Sequence, residues 1–304
     1  MQKIEATNLK KKQAHLALLI SGLFFGINYW IAKALMPDYF NPLQIVFLRS
    51  FVTVILFWIV KQFLPYEKLA RGDLFKLAIC GLTGISINQL FFFKGLSFTT
   101  PVNAAIIHST SPILVMLFAS FMIKERITWI KALGVVLGGF GAFLLVSSGK
   151  RIDFSIDTTL GNAFIFLNII SYSFYLVFAK PLMKKYKPVT VMSWVFLFGF
   201  LFVIPFSASS VPEIRWEMIP TEIWFSLAYV IVVTTFITYL LTIFGLQHLS
   251  ATTTGYYIYI QPVVASLIAI ASAKESLELY KIIAAMLIFS GIFLVIKDFN
   301  LKRT

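Results

Sequence analysis

Cysteine and charge are both scarce in this 304-residue sequence. The single cysteine, Cys80, lies within an apolar run, which excludes a disulfide framework and a cysteine-rich metal site. Charged residues make up 13% of the chain, whereas a soluble domain carries about 25%. No aspartate or glutamate lies deep within any of the long apolar runs. These absences disfavour a soluble protein, a metal pump and a proton antiporter driven by a carboxylate.

Long apolar runs take the place of charge. Hydrophobic residues make up 59% of the chain and the mean hydropathy is +0.87. The runs are about 20 residues long, the length at which a helix crosses a bilayer. The sequence therefore predicts an all-α integral membrane protein with ten transmembrane helices. The predicted spans are 15–36, 43–63, 74–93, 101–123, 129–147, 160–180, 190–208, 221–244, 251–273 and 279–297.

The distribution of lysine and arginine predicts the orientation of these spans. With the N-terminus inside, the inner segments carry 18 of the 26 basic residues and the outer segments carry seven, while Arg49 lies within the second span. Basic residues concentrate on the cytoplasmic side of membrane proteins. Both termini are therefore expected in the cytoplasm. The net charge of +13 follows from the same bias and predicts no nucleic-acid partner.

The chain repeats itself. Residues 95–146 align without a gap with residues 245–296 when the sequence is shifted by 150 positions. Each half holds five spans, and this odd number places the second half upside down in the membrane. Two inverted repeats are typical of secondary transporters, whose sites lie near the midplane at Gly- or Pro-interrupted helices. Among the coinciding residues are Gly95/Gly245, Pro112/Pro262, Lys124/Lys274, Glu125/Glu275, Lys131/Lys281, Gly141/Gly291 and Phe143/Phe293.

The repeat also predicts the organisation of the chain. Two cytoplasmic tails (1–14 and 298–304) flank a first repeat (15–148) and a second repeat (160–297), with a periplasmic linker (149–159) between the repeats. Because one chain already holds both halves, no second chain is needed to form the site, and a monomer suffices.

A set of motifs, in order and repeated, resembles the EamA family of the drug/metabolite transporter superfamily over nearly the whole chain. Span four has a central proline and ends in Lys124–Glu125, and span five follows with glycines seven residues apart, Gly134 and Gly141. Ala284 departs from the pattern, since the second half should carry a glycine there. The resemblance implies ten helices in the bacterial inner membrane, cytoplasmic termini and transport, commonly export, of amino acids, small metabolites or drugs. It also implies a central cavity lined by helices three, four, eight and nine, with contributions from one and six.

Polar side chains within the apolar spans are the candidates for substrate binding. Helical spacing and the repeat favour a cavity with aromatic walls and with amide and hydroxyl groups. The alternative is structural, because small polar residues in membrane helices also bond backbone carbonyls and help helices pack. Pro112 and Pro262 are interpreted as helix kinks. The candidate substrate-binding residues are His108, Ser111, Asn88, Gln89, Tyr256, Tyr257, Gln261, Thr238 and Arg49.

Two of these candidates carry or can carry a positive charge. His108 is either a neutral imidazole bonded to a neighbour or a substrate contact and proton carrier, since ionisable groups within membranes mark functional sites. Arg49 either reaches the interface or a helix-end carbonyl, or it clamps a substrate carboxylate. Lys33 and Lys180 are expected at the membrane interface. Glu125 and its counterpart in the second repeat are expected to pair with a nearby lysine or to cap the next helix.

These observations predict a secondary transporter of small organic solutes, with an exporter of amino acids or related solutes favoured. A multidrug exporter and a nucleoside or sugar exporter remain open within that class. An intramembrane enzyme is the rival class, because Ser97 in the segment GLSFTT weakly suggests a serine hydrolase. That segment lacks the second glycine of the G-x-S-x-G pattern. A receptor or scaffold on the same fold is a third interpretation. The expected partners are a small-molecule solute and the lipid bilayer, with no cofactor and no metal.

Overall fold

The computed structural model describes residues 2–147, 156–272 and 278–301, and these residues form helices and connecting turns without a β-strand. We number the eleven α-helices of this described part in chain order. They are α1 (Gln2–Ala34), α2 (Pro42–Gln62), α3 (Arg71–Phe98), α4 (Pro101–His108), α5 (Ser111–Ile123), α6 (Trp129–Ser147), α7 (Ile156–Met183), α8 (Pro188–Ser207), α9 (Thr221–His248), α10 (Ala251–Ala271) and α11 (Leu279–Leu301).

Among the described residues, seven helices are long and apolar enough to cross a membrane, and three apolar helices are shorter. The short ones are Ser111–Ile123, Trp129–Leu144 and Leu279–Val295. Many large apolar side chains point outward from the bundle, among them Phe121 and Phe293. A soluble protein would bury such a surface, so the chain is a multi-pass membrane protein.

The fourth predicted span, 101–123, is divided into α4 and α5. The first helix ends at His108, and the second starts at Ser111 with Pro112 in its first turn. Proline has no N–H to bond the preceding turn, so a new helix starts there at little cost. In the equivalent helix α10, a 3₁₀ turn at Tyr257–Tyr259 lies just before Pro262. Both irregularities fall near the middle of their segments.

Two π-helical segments break the regularity of α3 and α9. They lie at Leu82–Ile87 and Tyr229–Ile237, which overlap when the sequence is shifted by 150 positions. In the second segment, the Thr235 hydroxyl donates to the Val230 carbonyl five residues back at 2.6 Å. Single π turns within α-helices are frequent at functional sites. Nothing in the apolar pattern of either span predicted them.

Two lysines hold the C-terminal ends of the long helices α3 and α9. Lys33 Nζ donates to the carbonyl oxygens of Leu96, Ser97 and Thr99 at 2.7, 3.2 and 3.0 Å. Lys180 Nζ donates in the same way to the carbonyls of Leu246, Gln247 and Leu249. A cation is favourable at a helix C-terminus because the last carbonyls have no partner in the helix. These lysines therefore bind helix ends, and their position at the membrane interface stays a prediction.

α6 and α11, the last helices of the two repeated stretches, pack closely on each other. A Cβ atom added to Gly141 would lie 2.7 Å from the carbonyl oxygen of Ala284, and Ala284 itself is fully buried. The absence of a glycine at position 284 therefore leaves no gap. Elsewhere α1 packs on α9 and α10, α3 packs on α7, and α2 packs on α8. These contacts leave an internal space between α1, α2, α3, α4, α7, α9 and α10.

Candidate functional site

A mostly apolar cavity with several polar side chains in its lining occupies the middle of the helix bundle. About 50 Å³ of it is open to the centres of water molecules, room for only a few waters at about 10–15 Å³ each. Every contributing helix presents residues from its middle or from a point of irregularity. The lining residues are Phe25, Asn28 and Tyr29 from α1, Arg49 from α2, Asn88, Gln89 and Phe92 from α3, His108 from α4, Asn168 and Tyr172 from α7, Tyr239 from α9, and Ile258 and Gln261 from α10.

Helix irregularities supply much of this lining. Asn88 and Gln89 directly follow the π segment of α3, and Tyr239 lies two residues after the end of the π segment of α9. His108 is the last residue of α4, and Ile258 lies in the 3₁₀ turn of α10. Where a helix is locally widened or broken, its side chains turn away from the regular helical face. The cavity therefore forms where four segments depart from regular α-helix.

Arg49 is the only permanently charged residue among those that line the cavity. It is 3% exposed. Its Nε donates to the Thr235 hydroxyl at 3.0 Å, and its guanidinium carbon lies 5.0 Å from the centroid of the Phe93 ring. None of the ion pairs among the described residues includes Arg49. Its charge is thus buried beside the cavity without an acidic partner in this part of the chain.

His108 is held by Asn168. The His108 Nε2 lies 2.8 Å from Asn168 Oδ1, and Asn168 Nδ2 donates to the Asn88 carbonyl at 2.7 Å. This second bond fixes the orientation of the amide, so Oδ1 accepts and His108 Nε2 carries the proton. The imidazole also meets the rings of Tyr29 and Phe92 edge-on, at centroid distances of 5.7 and 5.9 Å. His108 thus has the neighbouring partner that the neutral-imidazole interpretation requires, while its Nδ1 remains an acceptor.

Two amides beside the cavity are incompletely paired. Gln89 accepts from the Ser50 hydroxyl at 3.2 Å through Oε1, but its Nε2 donates to none of the described residues. The Oδ1 of Asn28 likewise accepts from none of them. Gln261 differs, because its Oε1 accepts from the Tyr29 hydroxyl at 3.1 Å. Such unpaired groups are rare among buried polar atoms and need a physical reason.

Five of the nine predicted binding residues line the cavity together: Asn88, Gln89, His108, Gln261 and Arg49. The other four lie elsewhere in this conformation. Ser111 shares a hydrogen bond with Ser173 at 3.1 Å, and Thr238 donates to the Val233 carbonyl at 2.8 Å. Tyr256 donates to the carbonyl of Gly134 and so joins α10 to α6. Tyr257 lines a narrower adjoining pocket, where its hydroxyl lies 2.8 Å from His15 Nδ1.

Sequence reasoning missed several lining residues. Asn28, Tyr29 and Asn168 lie on α1 and α7, and Tyr172 and Tyr239 complete the aromatic wall. A signal existed for Asn168, because it is the one asparagine deep in the apolar span 160–180. No equivalent signal marked the tyrosines, since aromatic residues are frequent on every face of these helices.

Glu125 lies outside the membrane-spanning helices, at one end of the bundle. It forms an ion pair with Lys131 at 2.9 Å. Burial alone would raise the pKa of Glu125, but Lys131 and hydrogen bonds from Thr252 and Ser250 together hold the pKa below its ordinary value. Glu125 thereby ties the end of α5 to the start of α10. The matching pair Lys274 and Glu275 lies outside the described residues.

Comparison with known proteins assigns the chain to a family. The model of the EamA-like transporter family matches residues 12–147 and again 159–297. The uncharacterized transporter YyaM of Bacillus subtilis strain 168 is 25% identical over 289 residues, covering 93% of each chain. The Arabidopsis thaliana protein WALLS ARE THIN 1 is also 25% identical, covering 94% of this chain and 83% of its own length. A solved crystal structure with 16% identity matches 94% of this chain and 97% of its own, with a TM-score of 0.72.

Proposed function

The chain belongs to the EamA-like transporter family, and from this premise we propose that it is a secondary transporter for amino acids or related small organic solutes. The solute would occupy the central cavity and cross the bacterial inner membrane by alternating access, with export as its direction. The observation that supports this proposal is the cavity itself. It places a cation, amides and an imidazole among aromatic rings in the middle of an apolar bundle, where polar groups are costly without a function.

Two inverted repeats of five helices are part of the proposal. The family matches one stretch in each half of the chain, 12–147 and 159–297. The lysine caps of α3 and α9 and the π segments of the same helices recur at corresponding places. Pairs of residues 150 positions apart also line the cavity from both halves, such as Gln89 with Tyr239 and His108 with Ile258. Boundaries at 15–148 and 160–297 are proposed for the two repeats.

The narrowness of the cavity supports alternating access in particular. A few water molecules fill the space, so an amino acid needs the helices to move before it can enter. Contacts between helices lie at both ends of the bundle. At one end the Thr99 hydroxyl donates to Asn162 Oδ1 at 2.8 Å, and at the other Lys180 Nζ donates to the carbonyl of Leu246. Opening either end separately would expose the cavity to one side of the membrane.

Transport by purified protein in proteoliposomes is the direct test. We would measure uptake of the 20 labelled L-amino acids, with and without an imposed pH gradient, against empty liposomes. Asn168→Leu should abolish transport because it disrupts the cavity wall, whereas Ser173→Ala, which alters a hydroxyl outside the lining, should leave it intact. Wild-type protein that moves no amino acid above empty liposomes would contradict the proposal.

The pH arm of the same experiment addresses His108. We expect a gradient effect that His108→Ala removes if His108 carries the coupled proton. Transport that is indifferent to pH and survives the substitution would instead make the protein a facilitator.

The proposed orientation places both termini in the cytoplasm. The protein offers a simple background for testing it, since Cys80 is its only cysteine. In a Cys80→Ser background, a cysteine at Lys12 should react with a membrane-impermeant maleimide only after spheroplasts are opened, whereas one at Arg215 should react in intact spheroplasts. The reverse labelling pattern would contradict the orientation.

A further inference from the structure

We propose that the transported solute carries a carboxylate that pairs with Arg49 and Gln89, and an amino group that donates to the amide oxygen of Asn28. This inference rests on the proposed transport function and assigns the chemistry of its site. It makes the solute a zwitterionic amino acid and gives each end of it a binding group.

The argument starts from the buried charge of Arg49. A guanidinium stays protonated in proteins and has five N–H donors, of which the Thr235 hydroxyl takes one. That hydroxyl gives its own proton to the Val230 carbonyl, so it serves Arg49 as an acceptor. Snorkelling to the interface does not apply, because the side chain is 3% exposed and bonds α9 inside the bundle. A buried cation without a counter-charge is costly, and a functional site is the usual reason for one within a membrane.

Gln89 presents a second donor on the same wall. Ser50, the neighbour of Arg49, donates to Gln89 Oε1. The Arg49 guanidinium meets the ring of Phe93, one helical turn beyond Gln89. Arg49 and Gln89 both line the cavity, and Gln89 Nε2 has no hydrogen-bond acceptor among the described residues. Planar donors arranged in this way match the two oxygens of a carboxylate.

The single cation of the lining favours one carboxylate on the solute, and the ammonium group of a zwitterion must then be met by Asn28 and the aromatic rings. Arg49 is the only permanent charge among the lining residues, and no aspartate or glutamate is among them. A carboxylate neutralises one cation, whereas a doubly charged phosphate leaves an excess negative charge in a site of low polarity. An organic cation would meet Arg49 with repulsion and without a carboxylate to bind it.

Asn28 supplies the complementary requirement. Its Oδ1 is an acceptor without a partner among the described residues, on a side chain that is 3% exposed. A second anionic oxygen would be repelled there, but an N–H donor would complete the amide. The rings of Phe25 and Tyr29 flank Asn28 in the sequence of α1 and line the same cavity, and aromatic faces also attract ammonium groups. The donors of Arg49 and Gln89 therefore define the carboxylate end of the solute, and the acceptor of Asn28 defines its amino end.

The test uses matched solutes on the intact protein in proteoliposomes. L-Phenylalanine, phenylalaninamide and 3-phenylpropanoate share one side chain. Phenylalaninamide lacks the carboxylate, 3-phenylpropanoate lacks the amino group, and L-phenylalanine has both. The same three forms of leucine serve as a second series. Competition by each compound against the best-transported labelled amino acid gives its apparent affinity. We expect the zwitterion to compete at least tenfold better than the amide and the deaminated acid in the wild-type protein.

Substitutions at Arg49 and Asn28 assign the ends. Arg49→Gln should remove the preference for L-phenylalanine over phenylalaninamide, and Arg49→Lys should retain part of that preference. Asn28→Leu should reduce the preference for L-phenylalanine over 3-phenylpropanoate. It should leave the preference for L-phenylalanine over phenylalaninamide in place. Lys33→Met is the matched control, because it removes a partly buried cation that lies outside the cavity lining, and it should leave both preferences unchanged.

The outcomes separate this inference from the function on which it rests. Wild-type protein that transports an amino acid but accepts its amide equally well would overturn the inference and leave the transport function standing. Arg49→Gln with an unchanged preference would also overturn it. If Arg49→Gln does not fold, the comparison of the three solutes on the wild-type protein still tests the inference. If the wild-type protein moves no solute at all, the transport function falls and the inference falls with it.

Discussion

The hydrogen-bond chain from His108 through Asn168 to the Asn88 carbonyl makes a quantitative prediction about stability. Asn168→Leu removes a donor and an acceptor at similar volume, so it breaks the bonds at 2.8 and 2.7 Å. The proton on His108 Nε2 then loses its partner, while the Asn88 carbonyl, inside α3, loses only its bond from the side chain. Leaving a buried polar group unpaired costs about 1–3 kcal/mol and losing a single hydrogen bond costs about 0.5–1.5 kcal/mol, so we expect a loss of about 1.5–4.5 kcal/mol in the free energy of unfolding.

A double-mutant cycle tests the reasoning behind that number. His108→Leu alone leaves the Oδ1 of Asn168 unpaired and should cost about 1–3 kcal/mol. The double variant removes both members of the pair, so its cost should fall below the sum of the two single costs by about 1–2 kcal/mol. Equilibrium unfolding by SDS in mixed micelles measures all four proteins under one condition. A cost below about 0.5 kcal/mol for Asn168→Leu, or strictly additive costs, would refute this account of the chain.

Three further predictions concern the scaffold. Lys33→Met and Lys180→Met each free three helix-end carbonyls and should each lower the free energy of unfolding by about 1.5–3 kcal/mol; a large cost at only one lysine would contradict their equivalence. Gly84→Ala places a Cβ 2.5 Å from a tyrosine ring and should cost about 1–3 kcal/mol, whereas Gly72→Ala meets open space and should be neutral or stabilising when both are unfolded in SDS. Because the folded pKa of Glu125 is lowered, its contribution is present at pH 7 and is lost as the pH falls through that value; thermal scans from pH 7 to pH 3 should show this loss in the wild-type protein and a smaller one in Glu125→Gln.

The helices and the general nature of the site were predictable because their signals lie in local sequence. Apolar runs of bilayer length mark spans, and a proline at position 112 marks a break. Polar residues in such runs are few, so choosing among them found Arg49, Asn88, Gln89 and His108. The family assignment drawn from the repeated motifs is confirmed by the family match over both halves of the chain.

The remaining features depend on contacts between distant segments. The π segments of α3 and α9 leave no mark in an apolar pattern, yet they determine which faces of Asn88 and Tyr239 meet the cavity. The spacing of Tyr256 predicted a lining residue, but its hydroxyl finds the Gly134 carbonyl across a close helix contact. Lys33 was expected near the end of its span, but its contacts with the carbonyls of Leu96, Ser97 and Thr99 were not predicted. Each partner is distant in sequence and cannot be read from local spacing.

The distribution of polar groups over the two proposed repeats bears on how the transporter would move. Gln89 corresponds to Tyr239 and His108 to Ile258, so equivalent backbone positions face the cavity while their chemistry differs. Arg49 has no basic equivalent in the second half, since the residues near position 199 are apolar. A solute carboxylate would therefore stay with α2 and α3 of the first repeat throughout the cycle. The second repeat lines the cavity with Asn168, Tyr172, Tyr239, Ile258 and Gln261. The two groups proposed to hold the ends of the solute, Arg49 and Asn28, both belong to the first repeat, so we expect the first repeat to hold the solute while the second moves relative to it.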